Sequence, residues 1–208
     1  MMKHALLLLA LLAVPCVVTS CKDDAATVSP FDNLCKLMKL SGQSEKEIKI
    51  LRAGYEGDTV TLESLKDKKH IAIYCTGAAA AGKKELVLQC FDKGNGPKGA
   101  GPNTALGAAA CGGHMDIVQL MLDKGATNYN SGLFGAALGG HMDIVQLMLY
   151  KGADDYNKGL SGAAYGGHMD IVQLMLKRGA TDLDSALNAA ESNGHTKCAE
   201  LIRAAMKK

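Results

Sequence analysis

Apolar residues in the second half of the chain follow an order that returns every 27 residues. The segment GGHMDIVQLML ends at Leu122, at Leu149 and again at Leu176. Its apolar residues lie three or four positions apart, which is the spacing of one face of a helix. A shorter segment rich in alanine and glycine precedes each copy, as in SGLFGAAL at 131–138. The pattern therefore predicts pairs of helices, the first made of small residues and the second amphipathic.

These predicted helix pairs are too small to bury their apolar faces alone. A repeat of about 20 to 50 residues is typical of a solenoid, in which neighbouring units cover each other. Asp143 lies in the first turn of a second helix, where its charge favours the helix dipole, and Gly152 supplies a stop. The last unit carries the polar outer face that a terminal unit needs, with Lys197, Glu200, Arg203 and Lys207.

The unit resembles the ankyrin repeat. The first helix has a leucine and an alanine pair, Gly-His opens the second, an Ile-Val and Leu core follows, and Gly152-Ala153 comes after it. The resemblance implies an all-α, ankyrin-like helical-hairpin solenoid. The unit has 27 residues instead of about 33, and the missing residues fall where the family has a β-hairpin finger. We therefore expect reduced β-hairpin fingers, and the Thr-Pro-Leu-His signature of the family is absent.

The strength of the pattern divides the chain into a regular and a divergent part. Residues 104–208 are expected to hold the regular 27-residue units and a C-terminal cap. Residues 31–103 are expected to hold an N-terminal cap and divergent ankyrin-like units, because weaker copies occur around Gly54 and Gly82. The segment GNGPKGAGPNTAL at 94–106 predicts an extended loop between the two parts.

The first 20 residues have the pattern of a signal peptide. Lys3 gives a positive start, and the apolar run from Ala5 to Val14 is shorter than the about 20 residues that span a bilayer. The Val18-Thr19-Ser20-Cys21 sequence resembles a bacterial lipobox, which implies that Cys21 is lipidated and becomes the first mature residue. The alternative is cleavage nearby and a soluble secreted protein.

After Cys21, residues 21–30 are interpreted as a tether. The Lys22-Asp23-Asp24 sequence resembles a surface-export signal of bacterial lipoproteins. Together these resemblances imply export and a lipid anchor at the cell envelope or the cell surface, with the lipid on Cys21 as the contact to the membrane.

The composition limits the class of partner, the residues of the core and the state of the cysteines. The net charge of +2 does not indicate a nucleic-acid partner. With no Trp and 24 Gly, the core is expected to consist of aliphatic residues in closely packed helices. Beyond Cys16 and Cys21, five cysteines remain without a CxxC pair. An odd number favours buried free thiols over a disulfide framework, and Cys111 is the leading exception.

Candidate catalytic and metal sites are weak. Four histidines recur at the repeat spacing, but equivalent points on stacked helices are about 8–10 Å apart, whereas a Zn–N bond is about 2 Å long. We therefore assign a structural role to His114, His141, His168 and His195. The chain has no GxSxG, HExxH or P-loop sequence. We expect no catalytic residue, no metal, no cofactor and no small-molecule substrate.

Positions that vary between the units indicate a candidate binding face. Residues seven and three before each histidine are four apart, so they share one face of the first helix. In ankyrin arrays this face lies in the concave groove. The candidate partner-binding residues are Phe134, Leu138, Tyr165, Cys111 and Ser161. The alternative is that these side chains fold under the array.

The sequence thus predicts a non-catalytic protein–protein interaction module, exported to the envelope or surface, that binds a protein of unknown identity through its concave first-helix face. Two other classes stay open. An enzyme would need its site in the divergent region 31–100, and a structural envelope protein would associate with itself.

Overall fold

The computed structural model describes residues 44–92 and 101–207, and these residues form twelve helices and no strand. The predicted signal peptide, Cys21, the tether and residues 31–43 lie outside the described residues, as does the segment 93–100. The helices are α1 Glu45–Glu56, α2 Thr59–Ser64, α3 Lys68–Ala80, α4 Lys84–Asp92, α5 Gly101–Cys111, α6 Met115–Asp123, α7 Tyr129–Gly139, α8 Met142–Tyr150, α9 Tyr156–Gly166, α10 Met169–Lys177, α11 Leu183–Ser192 and α12 Thr196–Met206.

The helices form hairpins that stack in chain order. The first helices α1, α3, α5, α7, α9 and α11 each pack on the next, and each second helix packs on the first helix of its own hairpin. The second helices bury the same face in each regular unit, as Ile117, Val118 and Met121 do in α6. This arrangement confirms the all-α, helical-hairpin solenoid that the repeat predicts.

Neighbouring first helices approach closely through glycine. Gly135 of α7 lies against the backbone of α5, and a Cβ added to Gly135 would overlap the carbonyl oxygen of Gly107. A Cβ added to Gly162 of α9 would lie 2.8 Å from the carbonyl oxygen of Phe134. The expected close contacts between helices of small residues are therefore present at both interfaces.

The four repeated histidines join successive units. Each histidine is the residue that precedes its second helix. Nε2 of His141 lies 3.1 Å from the carbonyl oxygen of Cys111, in the preceding unit. His114 and His168 make the same 3.1 Å contact with the carbonyl oxygens of Ala80 and Leu138. These contacts confirm a structural role for the histidines.

The histidine rings also explain why glycine is repeated at the last position before each histidine. Gly140 has a φ of +75°, which disfavours any side chain, and a Cβ added there would overlap the ring of His168. The left-handed turn and the ring of the next unit both require glycine at this position.

Acidification is expected to destabilise the array through His168. Burial lowers the pKa of His168, and the charges of His141 and His195 act in the same direction. An unfolded chain, with a histidine pKa of about 6.5, therefore takes up the proton first as the pH falls. Stability contributed by the neutral imidazole is complete above about pH 7 and declines below about pH 6.5. Urea unfolding from pH 7.5 to about 5.5 should show this decline, with a shallower slope for His168→Gln. Equal slopes in the two proteins would contradict it.

Asparagines at the starts of first helices bind the loop of the next unit, a feature that the sequence analysis did not predict. Oδ1 of Asn130 accepts hydrogen bonds from the backbone N–H groups of Asp154, at 2.9 Å, and Asp155, at 3.0 Å. Asn103 and Asn157 bind the next loop in the same way. These contacts occupy the region where the longer ankyrin unit has its finger, so each short loop is fixed by the unit before it.

Removing one of these asparagine amides is expected to cost about 1 kcal/mol of unfolding free energy, because the exposed N–H groups regain water when the protein contacts are lost. We expect this value for Asn130→Ala in urea unfolding. Asp184 occupies the equivalent position in the last unit, where no further unit follows. Asp184→Ala is therefore the matched control and should be close to neutral; an equal loss in both variants would contradict the role of the amide.

Two hairpins precede the regular units. Ser44 and Glu47 form a capping box at the start of α1, and Nζ of Lys69 in α3 lies 2.5 Å from Glu47. The Lys69 hydrogen bond lowers the pKa of Glu47. The hydroxyl of buried Tyr74 donates to the carbonyl oxygen of Asp58, at 2.9 Å, and burial raises the pKa of Tyr74 to about 12. Polar side chains in this region thus connect one hairpin to the other.

Candidate functional site

The five candidate partner-binding residues lie on α5, α7 and α9, but they differ in burial. Phe134 is 7% exposed, Leu138 is 2% exposed and Cys111 is completely buried. Ser161 and Tyr165 of α9 are partly exposed. The three buried residues therefore do not form the exposed apolar patch that the pattern suggested, whereas Ser161 and Tyr165 are accessible. Partner binding through the five residues stays a prediction.

The buried candidates are separate from the main core. The continuous core between the first and second helices includes Leu133, Ala136 and Ala137 of α7, but not Phe134, Leu138 or Cys111. Spacing along the sequence identifies this face, but it does not reveal how deeply the face is buried.

Cys111 differs from the other described cysteines in being disulfide-bonded. Cys75, Cys90 and Cys198 are buried, reduced thiols, as predicted, and burial raises the pKa of the Cys198 thiol. Cys111, which the sequence analysis names as the leading exception, is disulfide-bonded. An odd number of cysteines argues against a complete disulfide framework, but it does not exclude a single bond.

The accessible part of the candidate face is the surface of α9 around Tyr165. Ser161 and Tyr165 are four residues apart and share one face of the helix. Burial raises the pKa of Tyr165, and a phenol with the ordinary pKa of about 10 is already neutral at physiological pH. A neutral, partly covered aromatic ring with a hydroxyl group is suited to contact a protein surface.

The outer face has one prominent aromatic side chain. Tyr150 ends α8 and is 86% exposed. The equivalent residues of the neighbouring units are Asp123 and Lys177. A single exposed aromatic residue among charged ones is ordinary for a protein surface and does not form a patch.

An open groove of about 460 Å³ lies near the C-terminal end, between α10 and α12. Leu176, Leu183 and Leu201 line it. Leu183 stands where the two preceding units have Tyr129 and Tyr156. The groove therefore lies where the side chain at this position is smaller than tyrosine. The lining contains no paired acids and no nucleophile beside a base, so the groove has no arrangement for acid–base or nucleophilic catalysis.

Within residues 44–92 and 101–207, no group of three or more His, Cys, Asp or Glu side chains is placed to hold a metal ion. None of the helices in this part of the chain has the length and apolar character needed to cross a bilayer.

Comparison with known families agrees with the geometry. Residues 75–159 match the family model described as ankyrin repeats, in three copies. The match begins within α3 and ends within α9, and it covers less than half of the chain. The same helix pairs and the same histidine spacing continue beyond it to α12. No curated protein matches the chain.

Proposed function

We propose that this chain, an ankyrin-like solenoid in which residues 75–159 match ankyrin repeats, is a non-catalytic protein-binding module exported to the cell envelope or surface. The observation that carries the proposal is the uninterrupted stack of helical hairpins from α1 to α12. Such a stack offers an extended surface to a protein, and stacked units are built for binding of this kind.

The partner is proposed to bind on the first-helix side, around Ser161 and Tyr165. These two side chains are accessible on α9, whereas Phe134, Leu138 and Cys111 are covered. A tyrosine near the centre of an interface often contributes a large share of the binding free energy. Tyr165 is therefore the proposed anchor, with the covered residues beside it.

Two features support export. The first is the lipobox-like sequence that ends at Cys21. The second is the disulfide bond of Cys111, because stable disulfides form mainly in oxidising compartments outside the cytosol. In this proposal a lipid on Cys21 holds the mature protein at a membrane, and the solenoid faces the solvent.

The absence of catalysis is proposed from the fold of the divergent region. Residues 45–92 form two helical hairpins that continue the stack. Charged groups there make contacts that connect the hairpins or cap the helices, such as Glu47 with Lys69 and Asp67 with His70. An enzyme would need these groups to converge on a substrate pocket, and their local pairing argues against that use.

A binding experiment tests the proposed face. The mature protein is immobilised and exposed to envelope extract from its native cell, and bound proteins are identified by mass spectrometry. Tyr165→Ala is expected to weaken capture of the specific partner by about 30-fold, which corresponds to about 2 kcal/mol for an anchor residue. Tyr150→Ala is the matched control, because it removes an exposed tyrosine from the outer face.

Circular dichroism must show unchanged helicity in both variants. Equal capture by Tyr165→Ala and wild type would reject the first-helix face as the binding surface. Recovery of only the chain itself, with sedimentation of a defined oligomer, would instead favour the structural envelope protein.

A further inference from the structure

The open groove between α10 and α12 lies where three side chains are shorter than their equivalents in the unit before. The exchanges, each across 27 residues, are Tyr156 to Leu183, Lys177 to Ala204 and Arg178 to Ala205. The helix pair around them keeps the repeat pattern, so the shorter side chains leave a space of about 460 Å³. We propose that this groove binds a segment of a partner protein that presents one tyrosine beside carboxylates.

The lining of the groove is apolar on a face that is otherwise polar. Leucines and alanines make up most of the lining, namely Leu176, Ala180, Leu183, Leu201, Ala204 and Ala205. Elsewhere the outer side of α12 carries exposed charged residues, such as Lys197 and Arg203. Met206, which is 43% exposed, comes directly after the last lining residue, and its unbranched side chain adapts to a bound group. An apolar side chain that enters the groove removes apolar surface from water, which favours binding.

The unit before shows which side chain this position accommodates. Tyr156, at the position equivalent to Leu183, is partly buried and packs against the core, as Tyr129 does one unit earlier. Two carboxylates precede Tyr156 in the chain, those of Asp154 and Asp155. A tyrosine from another protein can take the place of the missing ring, with its apolar body against the leucines and its hydroxyl group in water.

The charge at the groove favours an acidic neighbour of the bound tyrosine. Lys177 carries the one charge among the lining residues, all of which the structure describes. Within the described part of the chain, its ammonium group makes no ion pair. Asp182, the N-cap of α11, already accepts a hydrogen bond from the backbone N–H of Ser185, at 3.2 Å. A carboxylate that arrives with the tyrosine therefore meets an ammonium group that has no anionic partner.

A peptide titration tests the groove in the full chain. The probe is the acetylated and amidated peptide GADDYN, which copies residues 152–157 and so holds Tyr156 beside two carboxylates. With the leucine methyl groups labelled for NMR, the probe should shift the signals of Leu176, Leu183 and Leu201 in a saturable way. Tyr156→Ala in the probe should weaken binding by at least about tenfold, because the burial of one aromatic ring contributes this much. No saturable shift with the unchanged probe would overturn the proposal.

Two protein variants fill the groove from opposite sides. Leu183→Tyr and Ala204→Lys each restore the residue of the preceding unit, and both should weaken binding of the probe by at least about tenfold. Ser185→Tyr is the matched control, because it adds a tyrosine at an exposed position of α11 outside the lining. The control should bind as wild type, and circular dichroism should show the same helicity in all three variants. Wild-type binding by either filled variant would overturn the proposal.

Lys177→Gln tests the role of charge. It should weaken the acidic probe by about threefold, the contribution of an exposed ion pair, and leave a probe with Asp154→Asn and Asp155→Asn unaffected. Lys151→Gln, which removes an exposed lysine at the end of α8, should bind both probes as wild type does. Equal weakening of the two probes by Lys177→Gln would overturn the preference for a carboxylate.

Sedimentation velocity distinguishes a partner protein from a second copy of the chain in the groove. Dimers of the wild type that Leu183→Tyr disperses would show that a second copy occupies the groove, and the proposal would be wrong. The groove lies between second helices, whereas Tyr165 belongs to the first helix α9. None of these measurements uses the first-helix face, so their failure leaves the result of the Tyr165 binding experiment standing.

Discussion

Replacing Gly135 with alanine is expected to lower the free energy of unfolding by about 2 to 4 kcal/mol. In an exposed helix the same change would stabilise by about 1 kcal/mol, since alanine has the higher helix propensity. Here the added Cβ overlaps the carbonyl oxygen of Gly107, a backbone atom of the neighbouring helix. Backbone cannot rotate away as a side chain can, so α5 and α7 must separate. The cost of overpacking a core contact exceeds the gain in propensity.

Two control variants isolate the cause of that loss. At Gly162 the added Cβ would meet the Phe134 carbonyl oxygen at 2.8 Å, so Gly162→Ala should cost less than Gly135→Ala. Gly152 has a φ of +103° and nothing within 4 Å of an added Cβ, so Gly152→Ala measures backbone strain alone, about 1 kcal/mol. Urea unfolding of the three variants should give the order Gly135, Gly162, Gly152. A Gly135→Ala protein as stable as wild type would mean that the helices are not in close contact.

Replacing Cys21 with serine is expected to move the protein completely from the membrane fraction to the soluble fraction. A serine cannot receive the thioether-linked lipid, and each buried methylene of that lipid contributes about 0.8 kcal/mol to membrane binding. Loss of several acyl chains therefore removes the whole anchoring free energy. Fractionation by ultracentrifugation, with intact-mass measurement of the wild type, gives the readout.

Cys16→Ser is the control for this experiment, because Cys16 lies in the predicted signal peptide, which the proposal removes from the mature chain. It should fractionate as wild type. A wild-type mass without lipid, together with protein in the culture medium, would exclude the anchor and favour the soluble secreted form.

The helices were predictable because their signals are local. Ile144, Val145 and Met148 have helical spacing and are all buried in α8. The histidines were predictable as the start of the second helices, although their bonds to the preceding carbonyl groups were not. Those bonds join residues in different units, such as His141 and Cys111, and helical periodicity carries no information about them.

The asparagine contacts had a sequence signal that was not used. Asn103, Asn130 and Asn157 recur at the repeat spacing, in the first turns of α5, α7 and α9, where a polar residue is usually interpreted as exposed. Burial of Phe134 and Leu138 had no comparable signal. A spacing of four residues places both side chains on one helix face, but the spacing does not show how deeply that face is buried. The helix face that carries these residues was therefore predictable, whereas its burial was not, and partner binding through this face stays a prediction.

The asparagine contacts imply that the array can grow by whole units. Each loop is held by an amide in the unit before it, and each unit offers the same amide to its successor. A duplicated block of 27 residues, inserted after Ala153, would meet matching partners on both sides without any new side chain. Whole units are therefore interchangeable parts of the stack, and each added block would extend the surface presented to another macromolecule.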